Sequence, residues 1–134
     1  MAIRHDDALA GYIIEAGVGV RPAEPFIGLV LTNNDGTAAG ACVFNVWTGR
    51  DVHVSSVLYR KMTTGEVRYL ARYVFGKLGC ARCTATTPTR HAKARTALQK
   101  LGFKIEGVLR QYYPDDDAAV YGLLRAEQRI VRPK

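Results

Sequence analysis

Around residues 59–66 the apolar pattern changes period, and that switch limits what the chain can fold into. Upstream, residues 52–59 read as an extended strand that follows the turn Thr48-Gly49-Arg50-Asp51. Downstream, Val67, Leu70, Ala71, Val74, Phe75 and Leu78 fall at i, i+3, i+4, i+7, i+8 and i+11, one apolar stripe along a helix. A strand that passes straight into an amphipathic helix points to helices layered on a sheet.

The flanking segments extend that plan. Asp6 or Asp7 caps a helix through about residue 15, with Leu9, Tyr12, Ile13 and Ala16 at helical spacing, and Gly17-Val18-Gly19 with Pro22 and Pro25 ends it. Residues 26–32 and 39–47 are β-rich and enclose Asn33-Asn34-Asp35-Gly36, a hairpin turn. Gly79 stops the strong helix, and residues 80–86 form the next strand. A further helix begins within 88–91, buries Ala94, Ala97, Leu98 and Leu101, and stops at Gly102. Residues 103–113 and 118–124 are the last strands, joined by the turn Pro114-Asp115-Asp116-Asp117. The expectation is an α+β fold on a mixed sheet, one domain over residues 1–134 with a short helical segment at 1–25 and a basic tail at 126–134.

With 48% hydrophobic residues spread evenly, the 134-residue chain is neither disordered nor a membrane span, since no apolar run approaches the roughly 20 residues a bilayer requires. The first seven residues lack a signal-peptide core, so a cytoplasmic location is expected. Cys42, Cys80 and Cys83 are an odd number, and a zinc site needs about four ligands, so the Cys80/Cys83 spacing is read as buried structural thiols with no metal. The net charge of +7 is unevenly placed. Twelve Lys and Arg but only Glu66 and Glu106 lie between residues 60 and 110, whereas the rest of the chain is net acidic. That block attracts phosphates, nucleic acid or an acidic protein face, or else serves only as a solvated surface.

Leu58-Tyr59-Arg60-Lys61-Met62-Thr63-Thr64-Gly65-Glu66 carries the strand into the N-terminus of the strong helix. Free N–H groups and the helix dipole make such a junction an anion site suited to a pyrophosphate. Thr63 and Thr64 can cap, Gly65 permits close backbone approach, and Arg60 and Lys61 add positive charge. Many helices begin this way and bind nothing, so the junction alone does not decide.

With Lys100-Leu101-Gly102-Phe103, Glu106-Gly107-Val108-Leu109-Arg110 and Tyr121-Gly122-Leu123-Leu124-Arg125 following in order, residues 26–127 resemble the GCN5-related N-acetyltransferase (GNAT) superfamily. The small acetyltransferases of the ribosomal-protein N-terminal type and their phage-encoded relatives are the more similar branch. The resemblance implies a mixed, mostly antiparallel sheet flanked by helices, here shortened at the N-terminus, where about 25 residues leave room for one helix. It implies acetyl-CoA as cosubstrate, with a pyrophosphate loop of the form Arg/Gln-x-x-Gly-x-Gly/Ala. Arg60 and Gly65 match that loop and Thr63 replaces its middle glycine. It also implies that residues 52–59 splay from the neighbouring strand so that the pantetheine arm pairs with exposed backbone.

Direct transfer needs a base for the acceptor amine and an acid for the departing thiolate. Relatives place an Asn, a Ser and a Tyr on the helix before Leu-Gly-Phe, and these positions hold His91, Ala94 and Leu98 here. The acid role then falls to Tyr112 or Tyr113, which otherwise serve as packing aromatics. For the base, alternation puts Asp51, His53 and Ser55 on one strand face, with His53 the candidate because imidazole titrates near neutrality. His91 stands where the family Asn meets the CoA arm, or simply near a helix start. Arg68, Arg72, Arg90, Lys93 and Arg95 approach the CoA 3′-phosphate or a larger polyanion, or form a solvated face.

Three readings follow. One is acetyl transfer from acetyl-CoA to an amine, a protein N-terminus or lysine. Another is a catalytically degenerate GNAT-fold protein serving as a structural or partner-binding module, in host cytoplasm or virion if phage-encoded; in either case a homodimer partner or larger assembly can supply the missing wall of the acceptor side. The third is a nucleic-acid-binding protein, although no nucleic-acid motif is present.

Overall fold

The structure, a computed structural model, describes residues 3–131. Its element order is β1 (Ile3–His5), α1 (Asp7–Val18), β2 (Phe26–Thr32), β3 (Ala38–Asn45), β4 (Asp51–Leu58), α2 (Thr64–Arg72), β5 (Arg82–Pro88), α3 (Ala92–Lys100), β6 (Lys104–Tyr113) and β7 (Asp116–Leu124). The strands form one sheet in the order β1-β2-β3-β4-β5-β7-β6. Every neighbouring pair is antiparallel except β4 and β5, which α2 connects in parallel.

Sheet alternation sorts the apolar residues into two cores. Val30, Ala41, Val43 and Val57 face α1, which buries Ala10, Ile13, Ile14 and Val18 against them. Each of the larger of these side chains stabilises the fold by roughly 1.5–3 kcal/mol. Leu29, Cys42, Phe44, Val52, Cys83, Ala85 and Tyr121 face the other way, under α2 and α3. Asp6 caps α1 by accepting from the Leu9 N–H at 3.1 Å, and Asp7 accepts from the Gly28 N–H at 2.7 Å, which seats the helix on β2. Gly28 is required there, since a Cβ would lie 2.5 Å from that of Ala10.

Several element bounds differ from expectation. The N-terminal segment holds a strand as well as a helix, because Ile3–His5 pairs with Leu29–Leu31, and α1 runs on to Val18. β3 ends at Asn45, two residues before Trp47, because Val46 adopts φ 51 and leaves the ladder. β5 begins at Arg82, since Gly79 turns the chain at φ 66 and Cys80 precedes the ladder. α3 has only half-buried Ala94, Ala97, Leu98 and Leu101. β7 begins at Asp116, because Tyr113 and Asp116 pair across a two-residue turn. The strong helix is α-helical only to Arg72, and a π-helical turn, Tyr73–Lys77, completes it. An α-helix rotates about 100° per residue, too fast for three successive side chains to face one sheet. The wider turn buries Tyr73, Val74 and Phe75 together, with Tyr73 5.3 Å from Phe44 ring to ring. Arg132, Pro133 and Lys134 of the expected basic tail lie outside the described residues.

Candidate functional site

The sheet opens beside the start of α2. β4 pairs with β3 as far as Leu58, but its ladder with β5 covers only Asp51–Arg82 through Val54–Ala85. Ser55–Leu58 therefore have no partner on the β5 side, and β5 continues to Pro88 paired with β7 alone. Backbone groups along the last four residues of β4 are left to bond something else.

At the head of this opening the junction residues are strongly organised. Thr63 caps α2: its hydroxyl accepts from the Glu66 N–H at 3.1 Å, and Glu66 Oε1 accepts from the Thr63 N–H at 2.8 Å, a closed capping box. Glu66 is 1% exposed and receives both ends of the Arg60 guanidinium at 2.9 Å. Arg60 also donates to the carbonyls of Lys61 and Thr32 and to the Asn33 side chain. The guanidinium holds the Glu66 carboxyl below its ordinary range against the opposing effect of burial. Arg60 is thus neutralised by its own loop, and Lys61 supplies the exposed positive charge there. The cap leaves the N–H groups of Thr64 and Gly65, both exposed, as the free first-turn donors of α2. Leu58 and Met62 are half-buried and Tyr59 is exposed beside them.

On the α1 face of the sheet lies a polar chain that runs from β4 across β5 and β7 to β6. His53 Nε2 is 3.4 Å from Asp51 Oδ2. The Thr84 hydroxyl donates to Asp51 at 2.9 Å and accepts from Arg82 Nε at 3.2 Å. Arg82 in turn meets Glu106 on β6 at 2.7 Å. That bridge passes over β7 at Gly122, where a Cβ would lie 2.6 Å from the guanidinium. Asp51, Thr84 and Arg82 were missing from the expected site roles; their shared face was legible from strand alternation, but their contact required the β4–β5 register.

The two tyrosines differ. Tyr113 is 5% exposed, with its phenol beside the Thr86 side chain, one residue beyond the last β4–β5 pair. Burial pushes this phenol up, so it stays protonated at neutral pH. His53 stands opposite Thr84, two residues before Thr86 on β5, so His53 and Tyr113 lie toward the same face of the sheet. Tyr112 is 51% exposed, stacks edge to face on Tyr113, and lines a cavity of about 680 Å³ with Val20 and Asp115–Asp117.

His91 is the half-buried N-cap position of α3 and makes no side-chain cap. Arg95 turns inward, donating to the Tyr121 hydroxyl at 2.9 Å and to the Thr89 carbonyl. Arg90 pairs with Asp115 and Asp116. Of the five cations expected to approach a phosphate, Arg68, Arg72 and Lys93 are left exposed without an acidic partner among the described residues. Cys42, Cys80 and Cys83 are buried in the α2–α3 core, and burial pushes the thiols up, to about 11 for Cys42 and about 12 for Cys83. They are packing groups at neutral pH. Among the described residues no cluster of His, Cys, Asp and Glu is arranged to hold a metal ion, and no helix is long and apolar enough to cross a membrane.

Neither a family model nor a curated protein sequence matches the chain. Solved structures do. A protein described as "probable acetyltransferase" superposes with a TM-score of 0.67 at 21% identity, over 76% of this chain and 62% of that one. A variant of the spermidine N-acetyltransferase SpeG from Vibrio cholerae gives a TM-score of 0.73 at 10% identity, over 94% of this chain and 96% of that one. Further variant forms described as spermidine/spermine N-acetyltransferase SpeG give 0.71 at 12%, over 92% and 94%. The chain thus spans about three fifths of the first of these proteins, and it has the GNAT fold.

Proposed function

We propose that this protein transfers an acetyl group from acetyl-CoA to an amine, with a protein N-terminus or lysine as the acceptor class. The observation that carries this reading is the interrupted β4–β5 ladder directly beside the free N–H groups of Thr64 and Gly65. Ser55–Leu58 offer unpaired backbone for a pantetheine amide, and the first turn of α2 offers donors and a dipole for a pyrophosphate. Acetyl-CoA would supply the thioester.

His53, kept in place by Asp51, accepts the proton of the incoming ammonium and so frees the amine lone pair. Tyr113, protonated at neutral pH, donates to the thiolate that departs. Thr84 and Arg82 hold Asp51 from the β5 side, and that fixes the imidazole orientation. The exposed ring of Tyr112 beside the neighbouring cavity suits a cationic acceptor.

A second reading, a catalytically silent module of the same fold, is favoured by one feature. Arg60 and the Thr63 N–H, two donors expected for a pyrophosphate, are already bound to Glu66. Calorimetric titration of acetyl-CoA, with dephospho-CoA as control, separates the two. Micromolar binding, weaker for dephospho-CoA, is expected, and absence of binding overturns the transferase reading. With binding in hand, His53→Ala is expected to lower turnover while leaving acetyl-CoA affinity unchanged. Retained turnover removes His53 from the base role.

A further inference from the structure

The molecule separates its charges by layer. α2 with its π turn carries Arg68, Arg72 and Lys77, and α3 carries Lys93 and Lys100, all exposed. The one acid on these helices, Glu66, is buried under Arg60. The remaining carboxylates are engaged elsewhere: Glu15 and Glu24 by Arg21, Asp51 and Glu106 by Arg82, Asp115 and Asp116 by Arg90, Glu127 by Lys104. Asp6 and Asp7 are bound to backbone N–H groups at α1, Asp35 to Thr37 in the β2–β3 turn, and Asp117 to the Gln111 N–H. Among the described residues no carboxylate is left to neutralise the outer surface of α2 and α3.

This surface also lacks apolar anchors, since no large hydrophobic side chain between Tyr59 and Ile105 is exposed. Protein–protein contacts are built around desolvated aromatic and aliphatic anchors, whereas phosphodiester contacts are polar and strongly cationic. A groove of about 320 Å³ lies between the first turn of α2 and the end of α3, lined by half-buried Met62, Val67, Leu101 and Ile130 together with Thr64, Arg68 and Arg129.

We propose that the α2–α3 layer binds the phosphate backbone of nucleic acid without reading its sequence. Backbone contacts from Lys and Arg carry affinity and no base information, and the layer offers no exposed aromatic ring on which a base would stack. The cations of this layer lie on the sheet face opposite His53, while the groove reaches Thr64 in the first turn of α2, so competition by CoA belongs to the test.

The test is fluorescence anisotropy of the whole chain with a fluorescein-labelled RNA duplex of about 20 bp, from about 50 to 200 mM salt. The expected result is a log affinity that falls linearly with log salt, with a slope of about −3 to −5. Arg72→Glu with Lys93→Glu is expected to cost about tenfold or more and to reduce the slope by about 2. Lys93→Glu with Lys100→Glu repeats the loss without touching α2, so a misfolded helix does not obscure the answer. Arg21→Glu, on the α1 side, is expected to change affinity by less than about twofold. Absence of binding at the lowest salt overturns the proposal, as does an equal loss with Arg21→Glu. Polyglutamate that competes as well as RNA overturns it in favour of an acidic protein. Displacement by CoA, with no effect of the reversals, places the RNA in the cofactor cleft and also overturns it.

Discussion

Two arginine–glutamate pairs flank the candidate site, and they differ in almost every respect except their chemistry. Arg60–Glu66 spans six residues, encloses a carboxylate that water hardly reaches, and shares that carboxylate with the cap of α2. Arg82–Glu106 spans 24 residues, lies with 30% and 41% of its side chains exposed, and is laid across β7 on the open face of the sheet. A buried carboxylate loses its hydration and must be fully bonded to persist, whereas an exposed pair competes with water and gains little. The first pair therefore determines whether the junction folds, and the second only how side chains lie on a surface.

The contrast is broken most forcefully at the buried pair. Glu66→Gln leaves Arg60 without its counter-charge and weakens the cap, and a loss of about 3 kcal/mol, or roughly 10 °C in Tm, is expected by thermal melting. A loss below about 1 kcal/mol would place this pair with surface pairs. Its pH dependence sharpens the point. Arg60 holds the folded Glu66 carboxyl below its ordinary value of 4.5, so its stabilisation is complete above that value and disappears as pH falls through the folded value. The gap between native protein and Glu66→Gln is expected to close in acid and to be constant from pH about 6 upward.

Gly122→Ala acts on the second pair by volume rather than charge. The new methyl would sit 2.6 Å from the Arg82 guanidinium, a flexible side-chain end, so the bridge is expected to lift at a cost of about 1 kcal/mol. A loss near that of Glu66→Gln would show that the bridge is rigid. The smallest effect is expected from Glu106→Gln, below about 0.5 kcal/mol by chemical denaturation. If transfer occurs, Glu106→Gln should still leave Arg82 in contact with Asp51, and turnover should change less than with His53→Ala.

Much of the architecture was legible because it follows local rules. The Asn33–Gly36 turn, the α2 stripe and the shared face of Asp51 and His53 all follow from spacing alone. Thr63-Thr64-Gly65-Glu66 also carries the capping-box spacing, yet reading it as an anion loop overlooked that Glu66 closes the cap. The partner of Glu66 was not legible in the same way. Arg60 reaches it only because the chain turns back between β4 and α2, and nothing in the composition of that segment gives the direction of a guanidinium. β1 was missed because three residues, Ile3-Arg4-His5, are too few for alternation to register; they become a strand through their pairing with β2. Arg95 was taken for a surface cation, and only the position of the Tyr121 hydroxyl beneath α3 reveals it as an internal tie.

The interrupted ladder has a mechanical meaning as well. β1 to β4 form one half of the sheet in sequence order and β5, β7 and β6 the other, and the halves meet through four residue pairs, against seven on the far side of β5 and six on the near side of β4. The sheet is thus most compliant along one line, and that line is the cleft in which a cosubstrate would lie. A ligand that bridges both lips would act as a stitch, so that occupancy stiffens the molecule across its seam and leaves the two halves as they were.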